Sequence, residues 1–243
     1  MQLTTVEVIS ADDIKAFHQF PRDLYATDEQ YISHIDQDID AIFNAKMNTA
    51  FSSGEAKRWL AYDGERVVGK VAAFYSTDLH QVGIGFFDSI DSQEVANLLF
   101  DTAIDWLKEK GYSRVEAPIN FGERDKYWGL LVEGFKNPSY QENYNYPYYQ
   151  KLFERYGFKK IIEQTTSEAR PEAIDYQKYK RFTDRLVERS KLRAEHFKLS
   201  DMERFVRDFT SIYNQAWSTH EHFVPMPEAR VRDLFKEMKP IIR

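Results

Sequence analysis

The 243-residue chain contains no cysteine. A disulfide scaffold, a thiolate metal site and a cysteine nucleophile are therefore excluded, and a reducing, cytoplasmic home fits. Positive charge is not in excess either: 33 Lys+Arg stand against 39 Asp+Glu, a net charge of −6, which excludes a basic nucleic-acid binder. Long apolar runs are missing too. The segments around Val67 to Tyr75 and Val82 to Phe87 fall far short of the ~20 residues a membrane span needs, and the acidic N-terminus lacks a signal-peptide pattern. A soluble, unexported protein is expected, with neither nucleic acid nor a membrane as partner. What is present is a composition of 42% hydrophobic and 15% aromatic residues, enough to bury a core. At roughly 100–200 residues per domain, the length suggests one large or two small domains.

Along the chain, Thr5 to Ile9 reads as a strand. Ser10-Ala11-Asp12-Asp13 offers cap oxygens to a helix through Ile14 and Phe17 that stops at Phe20-Pro21. A second helix is expected around Asp36 to Phe43. From Lys57 the period shortens: Arg58 to Tyr62, a turn at Asp63-Gly64-Glu65-Arg66, then Val67 to Tyr75 is a strand, turn, strand pattern. A further strand, Val82 to Phe87, has glycines that suggest a bulge or a place where a ligand nears the backbone. Ser92 to Lys110 is the strongest helix, with Asp91 and Glu94 as an Asp variant of the capping box and Gly111 as the stop. Tyr112 to Ile119 reads as a short buried strand. The aperiodic stretch from Asn120 to Asn145 is long for a connection and rich in aromatics, which argues for packing rather than disorder. A helix from Tyr148 to Tyr156 ends at Gly157, and Phe158 to Thr166 is expected to return as a strand.

The segment from Arg170 to Lys198 carries nine Lys+Arg and five Asp+Glu, so +4, leaving −10 for the rest. It reads as a connecting helix with Tyr179, Phe182 and Leu186 in one stripe, its charges forming either a solvated face or an anion-binding patch. Asp13, Ile14, Phe17, Leu24 and Tyr25 recur 188 residues later as Asp201, Met202, Phe205, Ile212 and Tyr213. On that offset Arg243 matches Glu55, so a second copy would stop before its own central hairpin.

No Gly-x-Ser-x-Gly, Walker-type loop or dinucleotide fingerprint occurs. His220 and His222 flank Glu221 without the spacing of a helical zinc site, and no metal is expected. His18, His34, His80 and His196 read as isolated.

The order of elements, together with Arg58-Trp59-Leu60-Ala61, Gly83-Ile84-Gly85-Phe86-Phe87-Asp88, Ala117-Pro118-Ile119-Asn120-Phe121-Gly122, Trp128 to Phe135 and Phe153-Glu154-Arg155-Tyr156-Gly157-Phe158, resembles the GNAT superfamily of acyl-CoA N-acyltransferases. The wording is similar to a bacterial GNAT-like group with tandem halves. The resemblance implies an α/β (α+β) fold, a mixed and mostly antiparallel central sheet flanked by helices, with a C-terminal helical extension. It divides the chain into a GNAT-like domain at 1–168, a connecting helix at 169–195 and the beginning of an incomplete second unit at 196–243. It also implies a notch between splayed strands that holds acyl-CoA or acetyl-CoA as co-substrate, with Gly85, Phe86, Phe87, Ser92 and Gln93 in contact, and a small amine or amino acid as acceptor.

Two departures bear on that chemistry. Typical members place Arg/Gln-x-x-Gly-x-Gly/Ala at the diphosphate loop, whereas Asp88 to Ala96 has no glycine, Arg or Lys and carries Asp91 and Glu94 against a polyanion. Many members set a tyrosine four residues before the Gly-Phe that closes the last helix, as general acid; Phe153 stands here, leaving Tyr149 or Tyr156 as substitutes. Asn120, Arg124, Asp125 and Tyr144 are the substrate contacts expected from the loop, or else a turn cap, a surface pair and loop packing. Two functions therefore stand open: an N-acyltransferase, and a catalytically silent module that binds a ligand or partner in the same notch.

Overall fold

The turn after Asp63 sets the register of the sheet. Gly64 sits at φ +60°, where a side chain would be strained, and brings Asp63 opposite Arg66. From there β2 (Gly54–Asp63) and β3 (Arg66–Ser76) pair antiparallel. β1 (Leu3–Glu7) adds to the outer edge of β2, and β4 (Gln81–Ser89) to β3, giving the order β1-β2-β3-β4. This computed structural model describes residues 2–190, 195–220, 223 and 225–240. They fall into two units, Met1–Gln164 and Thr165–Arg243. The chain adopts the expected class: a largely antiparallel sheet flanked by helices, with a helical C-terminal extension.

In the first unit, one sheet face takes α3 (Gln93–Glu109) and α4 (Tyr148–Tyr156). Trp59, Val71, Ala73 and Ile84 pack there against Leu99, Phe100, Ala103 and Leu107, with Leu152 and Phe153 closing the layer. The other face lies toward α1 (Ala11–Leu24) and α2 (Asp36–Ile42), and a smaller cluster there joins Phe74 to Ala50, Ile119 and Phe121.

Several elements differ from the sequence reading. α1 runs through Pro21 to Leu24, because a proline one turn from the end forfeits a single donor while its carbonyl still accepts from Tyr25. The α3 cap is Ser92, whose hydroxyl accepts from the Val95 N–H at 3.4 Å; Asp91 is exposed outside the helix. Tyr112 to Ile119 forms no strand. It touches β4 through one parallel bridge, Gly83 with Glu116, and through the Ile119 N–H to Ile84. Phe158 to Thr166 is irregular rather than a returning strand, and from Lys159 onward every residue of it is exposed.

The second unit contains α5 (Tyr176–Ser190), α6 (Met202–Trp217) and α7 (Glu228–Glu237). α6 and α7 meet through buried Val206 and Val231, with Phe205 and Phe235 each against Phe197. Asp201 precedes α6, and Met202, Phe205, Ile212 and Tyr213 lie on it. Glu221, His222, Val224, Ile241, Ile242 and Arg243 lie outside the described residues, as do 191–194 of the expected connecting helix.

Candidate functional site

β4 carries one extra residue against β3. Ala72 pairs with Gly85 and Lys70 with Asp88, so Phe86 and Phe87 together oppose Val71, with Phe86 at φ +49°. The insertion changes which side chains share a face. Phe87 turns into the α3 core against Phe100, while Phe86 meets Phe43 beyond α2, and Asp88 meets Lys70. A charged pair is thereby placed inside the protein, Lys70 Nζ lying 3.3 Å from Asp88 Oδ2 with both side chains nearly inaccessible. Lys70 also sits 4.4 Å from the centre of the Phe17 ring.

Two tyrosines complete this cluster. Tyr25 donates to Asp88 Oδ1 at 3.0 Å, its oxygen lies 2.9 Å from that of Tyr149, and the Tyr149 hydroxyl is 3.3 Å from Asp88. The Ser89 N–H donates to Tyr149 at 3.0 Å, so a helix side chain satisfies a donor of β4. Burial pushes the Asp88 carboxyl upward and the Lys70 ammonium downward, each opposed by the charge of the other. Burial and then the Asp88 charge hold both tyrosines well above their ordinary range. They stay protonated and donate hydrogen bonds.

Lys70, Asp88 and Tyr149 of this cluster line a cavity of about 60 Å³, together with His18, Tyr31, His34, Asp36, Phe86 and Pro118, among others, while Tyr25 holds Asp88 without lining it. Part of the wall comes from the segment bridged to β4 at Gly83 and Glu116: the Ile119 N–H still donates to the Ile84 carbonyl, and Pro118 lines the cavity. His18 lies between two carboxylates, Nε2 2.8 Å from Asp40 and Nδ1 3.5 Å from Asp36. Tyr31 is pushed up to about 12, first by burial and next by Asp88. A buried cationic and an anionic side chain, held among protonated tyrosines at a cavity, form the kind of perturbed cluster found at working sites.

The residues expected from the sequence divide around this cavity. Phe86, Phe87, Tyr144 and Tyr149 line it. Gly85 does not face a ligand: a Cβ there would lie 1.9 Å from the Ile119 carbonyl, so the chain itself fills that approach. Ser92 caps α3, and Gln93 donates to Asn97 and to the Leu152 carbonyl, its Oε1 buried without a hydrogen-bond partner. Asn120 donates to the Glu123 carbonyl, Arg124 pairs with Glu116, and Asp125 is exposed; none of the three lines the cavity. Tyr144 donates to Asp28 at 2.7 Å. Tyr156 lies outside the cavity on Asp101, at 2.6 Å. Phe153 is buried against Phe87 and Phe100. Lys70, Tyr25, His18 and His34 carry the site without having been singled out. The usable signal was a lysine inside the apolar run Val67 to Tyr75, which requires a partner on the neighbouring strand.

Nothing in this part of the chain matches the diphosphate seat of an acyl-CoA. The start of α3 carries Asp91 and Glu94 and no cation, and its cap site is occupied by Ser92. Among the described residues, no group of three potential ligands could hold a metal, and no helix is long and apolar enough to cross a membrane.

No family model matches the chain. A bacterial ceramide synthase from Caulobacter vibrioides (strain NA1000 / CB15N) is 29% identical over 99% of this chain and 64% of its own length. Protein YghO from Escherichia coli (strain K12) is 26% identical over 96% of this chain and 61% of its own length. The chain thus spans less than two thirds of these curated relatives. Among solved structures, a predicted acetyltransferase with acetyl-CoA from Clostridium acetobutylicum aligns with 69% of this chain and 96% of its own, at 14% identity and a TM-score of 0.41.

Proposed function

We propose that the chain takes part in N-acyl transfer, moving an acyl group from an acyl thioester to the nitrogen of a long-chain amine at the cavity beside Asp88. The observation that carries the reading is the buried Lys70–Asp88 pair with Tyr149 at that cavity, Asp88 being held by Tyr25 as well. The similarity to a ceramide synthase along almost the whole chain supports the acceptor class, ceramide being the amide of a long-chain amino alcohol. In such a transfer the neutral amine attacks the thioester carbonyl, the C–N bond forms and the C–S bond breaks. One proton leaves the nitrogen and one is taken up by the sulfur. Asp88 is the carboxylate suited to attract the ammonium and accept its proton, with Lys70 and Tyr25 fixing it in place. Tyr149 stays protonated beside it and offers a hydrogen bond to the reacting oxygen or sulfur.

Acyl-CoA is the donor to test first. The absence of cysteine makes the assay clean, since every thiol released comes from the donor. With palmitoyl-CoA and sphinganine, amine-dependent thiol release and an amide product are expected, and Asp88→Asn should lower the rate by about 100-fold or more. Tyr25→Phe, which leaves the ion pair intact, serves if Asp88→Asn fails to fold. A folded chain that releases no thiol at saturating donor and acceptor would overturn the reading.

A silent binding module is the second reading. It is favoured by the acidic α3 terminus and by Phe153, a buried ring that cannot supply a proton. It predicts ligand or CoA binding in calorimetry without turnover.

A further inference from the structure

An acceptor that arrives as an ammonium loses two protons to become an amide nitrogen, and Asp88 takes one of them. His18 lines the same cavity and has no part in the Asp88 cluster. It projects from α1, 9% exposed, toward Asp36 and Asp40, which stand one turn apart on α2 and so share a face. Its two ring nitrogens are placed differently. Nε2 lies 2.8 Å from Asp40 Oδ1, and because a carboxylate can only accept, the neutral ring carries its proton on Nε2. Nδ1 makes no hydrogen bond among the described residues. Asp36 Oδ1 is 3.5 Å from it, and that oxygen already receives Arg22. Hydrogen bonds of this kind run at about 2.7–3.2 Å, so an unused lone pair is left beside a carboxylate that, like His18, lines the cavity.

We propose that His18 is a second catalytic base of the site, taking a proton from the acceptor nitrogen at Nδ1, with Asp40 as its positioning residue. The role rests on the acyl-transfer reading above and adds a proton acceptor to it. An amine seated between Nδ1 and Asp36 gives both acceptors a donor, and the charge of an arriving ammonium is met there by the carboxylate. Asp88 takes the first proton and leaves a neutral amine. As the C–N bond forms, the second proton passes to Nδ1, while the C–S bond breaks and the departing sulfur takes the first proton back from Asp88. The imidazolium then stands between Asp36 and Asp40, 45 and 50% exposed, and gives a proton up to water along that side. One proton is released per amide formed from an ammonium, as the overall reaction requires. A carboxylate that fixes the tautomer of a histidine, with the other ring nitrogen open to a cavity, is the arrangement of an activated base.

Kinetics with palmitoyl-CoA and sphinganine test the role, together with nitrogen NMR of the ring. His18→Gln can still donate to Asp40 but has no basic nitrogen. It should lower kcat by at least about 100-fold while the KM for the amine stays within about threefold. Asp40→Asn should lower kcat by at least about tenfold, because its amide can donate to Nε2 and move the proton of the neutral ring to Nδ1. At alkaline pH the parent should show the Nε2–H form and Asp40→Asn the Nδ1–H form; among the six histidines, the His18 signals are those that His18→Gln removes. Asp40 also lies 3.9 Å from the nearly buried Arg58, so the thermal transition of each variant is the control for folding, and His18→Gln, which keeps that charge, decides if Asp40→Asn does not fold. A mere tie between α1 and α2 would lower the transition and leave kcat of the folded variant unchanged. A parent chain that releases no thiol defeats acyl transfer and this role with it. A parent that turns over defeats the role alone if folded His18→Gln keeps its kcat, or if the neutral parent ring carries its proton on Nδ1.

Discussion

Burial holds the His34 imidazole at about 4, below its ordinary 6.5, and the positive charge of Lys70 acts in the same direction. The folded chain therefore takes up this proton less readily than the unfolded one. The stability linked to His34 is complete above about pH 6.5, declines as pH falls from there toward about 4, and levels off below. A separation of this size corresponds to at most about 3 kcal/mol. His34→Phe, which keeps a ring beside Tyr127, should therefore flatten the acid limb relative to the parent chain. Urea midpoints measured for both proteins at several pH values between about 7 and 4 check this, and two parallel curves would refute it. Nothing in the sequence around His34 announced that environment, because the groups that bury and face it, Lys70 and Tyr127, are remote in the chain. Lys70 was more legible, as a charge inside an apolar strand. Asp88 opens the stretch that stands at the family's diphosphate loop, where nothing local marks it as buried, and the inserted residue at Phe86 turns it inward to Lys70.

At the level of the element, period and punctuation carried most of the information. The β2–β3 hairpin, α3 and α4 lie where the alternation, the apolar stripe and the terminal glycines put them. The errors arose where a tertiary contact decides. Tyr112 to Ile119 has the composition of a strand, yet Pro118 has no N–H to give a ladder, and the Ile119 carbonyl instead presses onto Gly85. The sequence pattern puts the cap of α3 at Asp91, and backbone geometry puts it one residue later, at Ser92. Ser92→Ala should then lower stability by about 1 kcal/mol, whereas Asp91→Ala should change it by less than about 0.5 kcal/mol. Denaturant midpoints of the two variants decide the matter; equal losses, or the larger loss at Asp91, would return the cap to the aspartate. The same pair bears on ligand binding. With Ser92 occupying one α3 donor and two exposed carboxylates nearby, the helix end is poorly suited to a diphosphate.

Over the whole molecule, the linear order of elements was readable because each unit is built from local segments. The division into units was harder to place, since Arg170 to Lys198 has helical periodicity while Phe158 to Thr166 mimics a strand. The latter looks like a strand by composition but pairs with nothing in the sheet, whose four strands are all assigned elsewhere. The long stretch from 120 to 145 looks equally irregular in sequence and differs physically. Asn145 bonds Leu131 at both its N–H and its carbonyl, the Tyr127 N–H reaches the Gln141 carbonyl at 2.7 Å, and Tyr144 reaches Asp28. Two segments without regular structure should therefore meet a protease differently, because cleavage requires local unfolding and only one of them must break buried hydrogen bonds to unfold. Limited trypsin treatment should cut first at Lys159 or Lys160, which are exposed in irregular backbone, before it cuts at Arg124, Lys126 or Lys136. Intact-mass measurement of the early fragments tests the order. The expected product is an N-terminal piece ending near 160 that keeps the cooperative transition of the sheet; first cuts between 120 and 145 would mean that the wall of the cavity is loosely held, and the site described at Asp88 would lose its enclosure.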